Sequence, residues 1–161
     1  MAARDIVVIG FILFALGMGF FILNFTMNTT VDHLLNTSQI NESADVRNAF
    51  SSMSTVVNRL DYVIFALFIG LTLGLIISGW FVGGNAIFMF IYFLIVSITI
   101  AICTVLSNIW VQVSESSVFG TTVVSFPTTN HILSYLPYYI TVIGIIGLIV
   151  MFAKPYFEGG Y

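Results

Sequence analysis

The sequence predicts an all-α fold, a polytopic bundle of four transmembrane helices whose second helix extends out of the membrane. Three observations predict it. Only 7% of the residues are charged and 59% are hydrophobic, against roughly 25% charged in a soluble globular domain. Between Asp61 and Glu115 there is no Asp, Glu, Lys, Arg or His. That stretch divides into two apolar arms, each longer than the ~18 residues that mark a span, joined at Val82-Gly83-Gly84-Asn85. This is a transmembrane helical hairpin, and the other elements are read around it.

Met1–Asp5 is a short polar start containing Arg4, and Ile6–Leu23 is an unbroken apolar run. The run exceeds the ~7–15 residues of a signal-peptide core and has no small-x-small site after it, so it is expected to stay as the first span. Asn24–Leu60 is a polar loop that opens on the low-complexity NFTMNTTVDHLLNTSQINES. From Ala44 the apolar residues Val46, Ala49, Met53, Val56 and Leu60 recur at helical spacing, with Phe50 and Val57 beside them. Ser43 suits an N-cap and Asp45 suits the first turn. No Gly or Pro separates this helix from the span at 61–81, so a single helix projecting beyond the lipid is expected. The third span covers 86–110. A polar-to-mixed loop at 114–136 follows, in which TTVVSF reads as a short strand or an interfacial segment. Pro137 opens the fourth span, 138–153, and Lys154-Pro155 closes it. The chain forms a single membrane domain.

Small residues suggest how the spans meet. Gly70, Gly74 and Ser78 recur every four residues on the second span, and Ser97, Ala101, Thr104 and Asn108 share a face of the third. In lipid, close backbone approach supplies the packing that a hydrophobic drive supplies in water. The two faces are expected to meet inside the hairpin, with Asn108 hydrogen-bonded to a neighbour. Ala15 with Gly19, and Gly144 with Gly147, are weaker signals of the same kind. Tyr and Trp near the span ends fit an aromatic belt.

The chemistry-bearing residues exclude more than they suggest. A net charge of −3 with four basic residues does not fit a nucleic-acid partner. The single cysteine, Cys103, allows no disulfide framework and no thiolate cluster. No span carries an internal ionisable group, which argues against pumps, coupled transporters and voltage sensors. His33 lies near Asp32, Glu42 and Asp45 without a spacing that would aim them at one ion, and His131 reads as interfacial. No catalytic residue, cofactor site or metal site is expected, and the chain does not read as an enzyme.

Both termini fall on one side. Basic residues are balanced between the two sides, so the positive-inside rule decides nothing. Asn24, Asn28, Asn36 and Asn41 each open an N-x-[S/T] triplet within one loop. With Asn24 too close to the membrane, Asn28, Asn36 and Asn41 are candidate glycosylation acceptors, which would place that loop outside and the termini in the cytoplasm or its equivalent.

The strings LDYVIFALFIGLTLGLIISGWFVGGN and SFPTTNHILSYLPYYITVIGIIGLIVMFAKPY resemble pieces of small polytopic membrane proteins of archaeal and bacterial viruses, including tailless icosahedral viruses with an internal membrane. The resemblance covers roughly the last hundred residues and implies a protein that ties a capsid shell to a lipid vesicle. It assigns no residue. The expectation is a structural membrane protein whose face of Val46, Phe50, Met53 and Val57 docks on other membrane or capsid proteins. An accessory subunit of a membrane-bound enzyme complex and an oligomeric, holin-like pore are the alternatives.

Overall fold

A computed structural model describes residues 2–37, 43–82 and 86–158, which are almost wholly helical and include no strand. The expected acceptor Asn41 and the turn at 83–85 lie outside the described residues. The helices are α1 (Ala2–Leu35), α2 (Ala44–Asn58), α3 (Leu60–Val82), α4 (Ala86–Ser114), α5 (Gly120–Ser125), α6 (Pro127–Ser134) and α7 (Leu136–Glu158). Parts of α1, α2–α3, α4 and α7 form four helices long and apolar enough to cross a membrane. The protein is an all-α, multi-pass membrane bundle.

The first helix corrects the reading of 24–60 as a loop. It runs 34 residues, about 51 Å at 1.5 Å per residue, well past the ~30 Å of hydrocarbon. The reason is a buried seam that does not stop where the apolar run stops. Ile6, Ile9, Leu13, Gly17, Phe21, Asn24 and Val31 are buried, with Asn28 half-buried between the last two. Polar residues replace apolar ones on the outer face, while the inner face keeps helical spacing.

The second and third helices meet as expected, nearly without a break. Arg59, the residue between them, keeps right-handed helical backbone (φ −79°, ψ −7°), and its N–H donates to the Val56 carbonyl at 3.1 Å. A stripe of Val57, Asp61, Ile64, Phe68, Leu75 and Gly79 passes through that junction on one buried face. Ser43 occupies the N-cap position in extended conformation, but its hydroxyl makes no capping bond.

Two further expectations are corrected. The 114–136 segment is neither strand nor open loop, since α5 and α6 fill it, with Pro127 in the first turn of α6 where its missing N–H costs nothing. The fourth helix passes through Lys154-Pro155 to Glu158. A proline so near the helix end forfeits a single hydrogen bond.

Among the described residues, the two arms of the hairpin do not pack on each other. Helices α3 and α4 each pack on α1 and α7 and sit diagonally across that pair. The main core is built from the inward faces of all four, including Ile6, Leu13, Ile64, Leu75, Val96 and Ile140. The start of α1 and the end of α7 lie at one end, called proximal here, Asp5 beside Ser78 of α3 and Phe152 beside Met89 of α4. At the distal end α2 runs back along the extension of α1, and α6 wedges among α1, α3 and α4.

Candidate functional site

The distal end concentrates the buried polar chemistry of the molecule. Asp61, at the start of α3, is 3% exposed. Its carboxylate accepts the backbone N–H of Thr128 at 3.0 Å and that of Thr129 at 2.6 Å. These are orphan donors in the first turn of α6, which no carbonyl of that helix can reach. A charged acceptor there gains from both the hydrogen bonds and the helix dipole. A carboxylate on one helix thus pins the start of another.

Around that contact α6 forms a plug. Phe126 and Leu133 join Phe21 of α1 and Trp110 of α4 in a second buried cluster. Phe21 meets Trp110 edge-on at 4.9 Å, Phe119 at 5.4 Å and Phe126 edge-on at 6.3 Å. The Trp110 indole N–H donates to Asn130 Oδ1 at 2.9 Å, so the ring is satisfied at its polar end. Ser107 of α4 donates its hydroxyl to the Ser134 carbonyl, closing the last turn of α6.

A polar ladder joins α1 to α2 beyond the plug. Ser54 Oγ donates to Asn28 Oδ1 at 2.9 Å. Asn28 Nδ2 donates to Asn24 Oδ1 at 3.0 Å, and Asn24 Nδ2 donates to Asn58 Oδ1 at 2.6 Å. Asn24 is fully buried, so this is an interior seam. The paired helices form a stem that continues the bundle.

The ladder bears on the expected glycosylation acceptors. Asn28 is half-buried and its amide nitrogen is engaged with Asn24, so a glycan there requires the seam to open. Asn36 sits exposed in the turn after α1.

The expected docking face is split. Met53 is exposed, Val46 and Phe50 are half-buried, and Val57 is buried. Val56, one residue away, stands 64% exposed and takes its place on the outer face. The expected packing faces are corrected as well. Gly70 and Gly74 are exposed, and a Cβ on either would meet nothing within 4 Å. Ser97, Ala101, Thr104 and Asn108 are exposed on the flank of α4. The buried seam of α4 is Met89, Tyr92, Val96, Thr99, Cys103, Ser107 and Trp110, roughly 130° around the helix from the expected face. Ser97 and Thr104 return their hydroxyls to the carbonyls of Phe93 and Ile100, and Ser78 donates a long 3.4 Å bond to Asp5. Thr104 and Asn108 line an open cleft of about 390 Å³ with Ser134 and Thr141.

The close approaches occur at Gly144 and Gly147 of α7, the pair the sequence marked as a weaker signal, and at Gly17 of α1, while a Cβ at the expected Gly19 would meet nothing within 4 Å. A Cβ at Gly144 would lie 2.6 Å from Val96 Cγ1, and one at Gly147 would collide with the Tyr92 hydroxyl. One at Gly17 would lie 2.9 Å from Leu133 of the plug. His33 and His131 are exposed, His131 resting against Tyr135 at 4.9 Å. Among the described residues no three of His, Cys, Asp and Glu gather as metal ligands would.

Sequence reasoning missed Asp61, Asn24 with Asn58, and Trp110 with Asn130. A signal existed for the first, since Asp61 falls on the same helical stripe as Val57, Ile64 and Phe68. No family model, curated protein or solved structure matches the chain.

Proposed function

We propose that this is a non-catalytic membrane scaffold that holds a rigid helical stem above one face of a bilayer and offers it to a protein assembly. A virion membrane, where such a protein links lipid to shell, is the setting this reading favours, with the stem outside and the termini on the cytoplasmic or equivalent side. The observation that carries it is the Asn24–Asn58 and Asn28–Ser54 seam beyond the apolar spans. Such a seam spends buried hydrogen bonds on fixing a direction, which a flexible tether would not need. The stem presents Met53 and Val56 outward, 51% and 64% exposed, as anchors a partner can cover.

Replacing Met53 and Val56 together by Asp is expected to strip the partner proteins that remain bound after mild detergent extraction. The helical content of the chain should be unchanged, because neither side chain is buried. Undiminished co-purification would count against the proposal.

A further inference from the structure

We infer that a cup at the base of the stem binds a neutral hexose, presented either as a glycolipid headgroup or as a free glycan. The cup lies among α1, α2 and α5, with about 360 Å³ of space bordered by Phe25, Asn28, Asp32, Ser54, Thr122 and Ser125. That volume falls within the range of small-ligand sites. Its lining determines the ligand class.

The polar groups there are largely uncommitted. Asn28 and Ser54 bond each other as rungs of the ladder, leaving Asn28 one amide hydrogen to give. Among the described residues, the side-chain oxygens of Asp32, Thr122 and Ser125 enter no hydrogen bond. Hydroxyls that both donate and accept thus face one carboxylate that only accepts, the complement of a diol. Phe25, held against Phe119 in a T-shaped contact at 4.7 Å, adds an apolar wall against which the C–H groups of a sugar can pack.

Other classes fit poorly. The lining has a carboxylate and no Lys or Arg, which opposes phosphates and other anions. One carboxylate falls short of the oxygen set that a calcium ion takes. A peptide would want a deeper apolar anchor than Phe25 provides. Phe25 follows Asn24 at the end of the apolar run Ile6–Leu23, and a headgroup as the ligand rests on the proposed setting, in which the stem rises from the bilayer at that point.

The test uses the full chain in phosphatidylcholine nanodiscs. In one arm, saturation-transfer NMR is recorded with the methyl glycosides of glucose, galactose and mannose, for which a Kd on the order of 1 mM is expected from so few contacts. In the other, native mass spectrometry counts galactosyl-diacylglycerol retained from mixed-lipid nanodiscs. Asp32→Ala and Thr122→Val should each reduce the signal at least about tenfold, the worth of a hydrogen bond to a charged group or its near equivalent. Asp32 is exposed, so the first variant keeps its fold, which circular dichroism verifies. Transfer from free glycosides that is lost in Asp32→Ala supports a glycan ligand, and glycolipid adducts lost in the same variant support a headgroup. Silence in both arms, or signals indifferent to Asp32→Ala, overturns the inference.

Discussion

Asp61→Asn is expected to lower the free energy of unfolding of the distal end by about 2–3 kcal/mol, the cost of weakening hydrogen bonds to a buried charge. The carboxylate faces two N–H donors at 3.0 and 2.6 Å. An asparagine offers one acceptor oxygen and turns its NH₂ toward the second donor, leaving that N–H unpaired in a buried place. The dipole of α6 also loses its counter-charge. Trp110 reports the outcome, because it is fully buried under α6 and hydrogen-bonded to Asn130. Thermal unfolding in detergent should show its emission shifting to the red at a lower temperature in the variant. Helical signal from the spans should be lost later. Coincident, unshifted transitions would show that Asp61 does not hold the plug.

Gly147→Ala is the second large effect, at about 1–3 kcal/mol, the usual cost of overpacking a tight core. The added methyl would meet the Tyr92 hydroxyl, with Cζ of the same ring at 3.0 Å. That hydroxyl is itself buried without a hydrogen-bond partner. Tyr92→Phe should therefore cost little or even stabilise, and in its background Gly147→Ala should lose most of its penalty. Gly70→Ala and Gly74→Ala provide the contrast, since neither methyl meets a neighbour. Each should be neutral or stabilising by up to about 1 kcal/mol through helix propensity. Equal losses at Gly70 and Gly147 in detergent unfolding would show that small residues act here through the lipid-facing surface.

The reason Gly70 and Gly74 drew more weight in the sequence than Gly144 and Gly147 is physical. In a soluble helix, polar residues mark the outer face and apolar ones the core. Along α4 nearly every position is apolar, so periodicity has no contrast, and the few polar residues attract attention wherever they fall. Ser97, Thr104 and Asn108 lie outward, and two of them are content with carbonyls of their own helix. The partner choice of α3 and α4 was equally hidden, because a short turn implies neighbours but does not compel a packed pair. What the sequence did reveal was the number and extent of apolar helices, since hydrophobic length is what lipid demands. The stem was obscured by the opposite contrast, an Asn- and Thr-rich run that resembles a loop in composition. Its seam uses Asn24 and Asn28 at positions where a core would ordinarily place Leu, so a pattern that seeks apolar residues passes over it.

The continuity of that stem is the claim on which the proposed scaffold depends. Backbone hydrogen exchange on the chain in nanodiscs tests it most directly, over residues 24–35 and 44–58. Slow exchange along both segments, approaching that of the adjoining ends of the spans and accelerated by Asn24→Ala, is the predicted result. Exchange from Thr26 to Leu35 as rapid as in an open chain would contradict the account, because the bilayer would then hold a loose tether and no rigid stem.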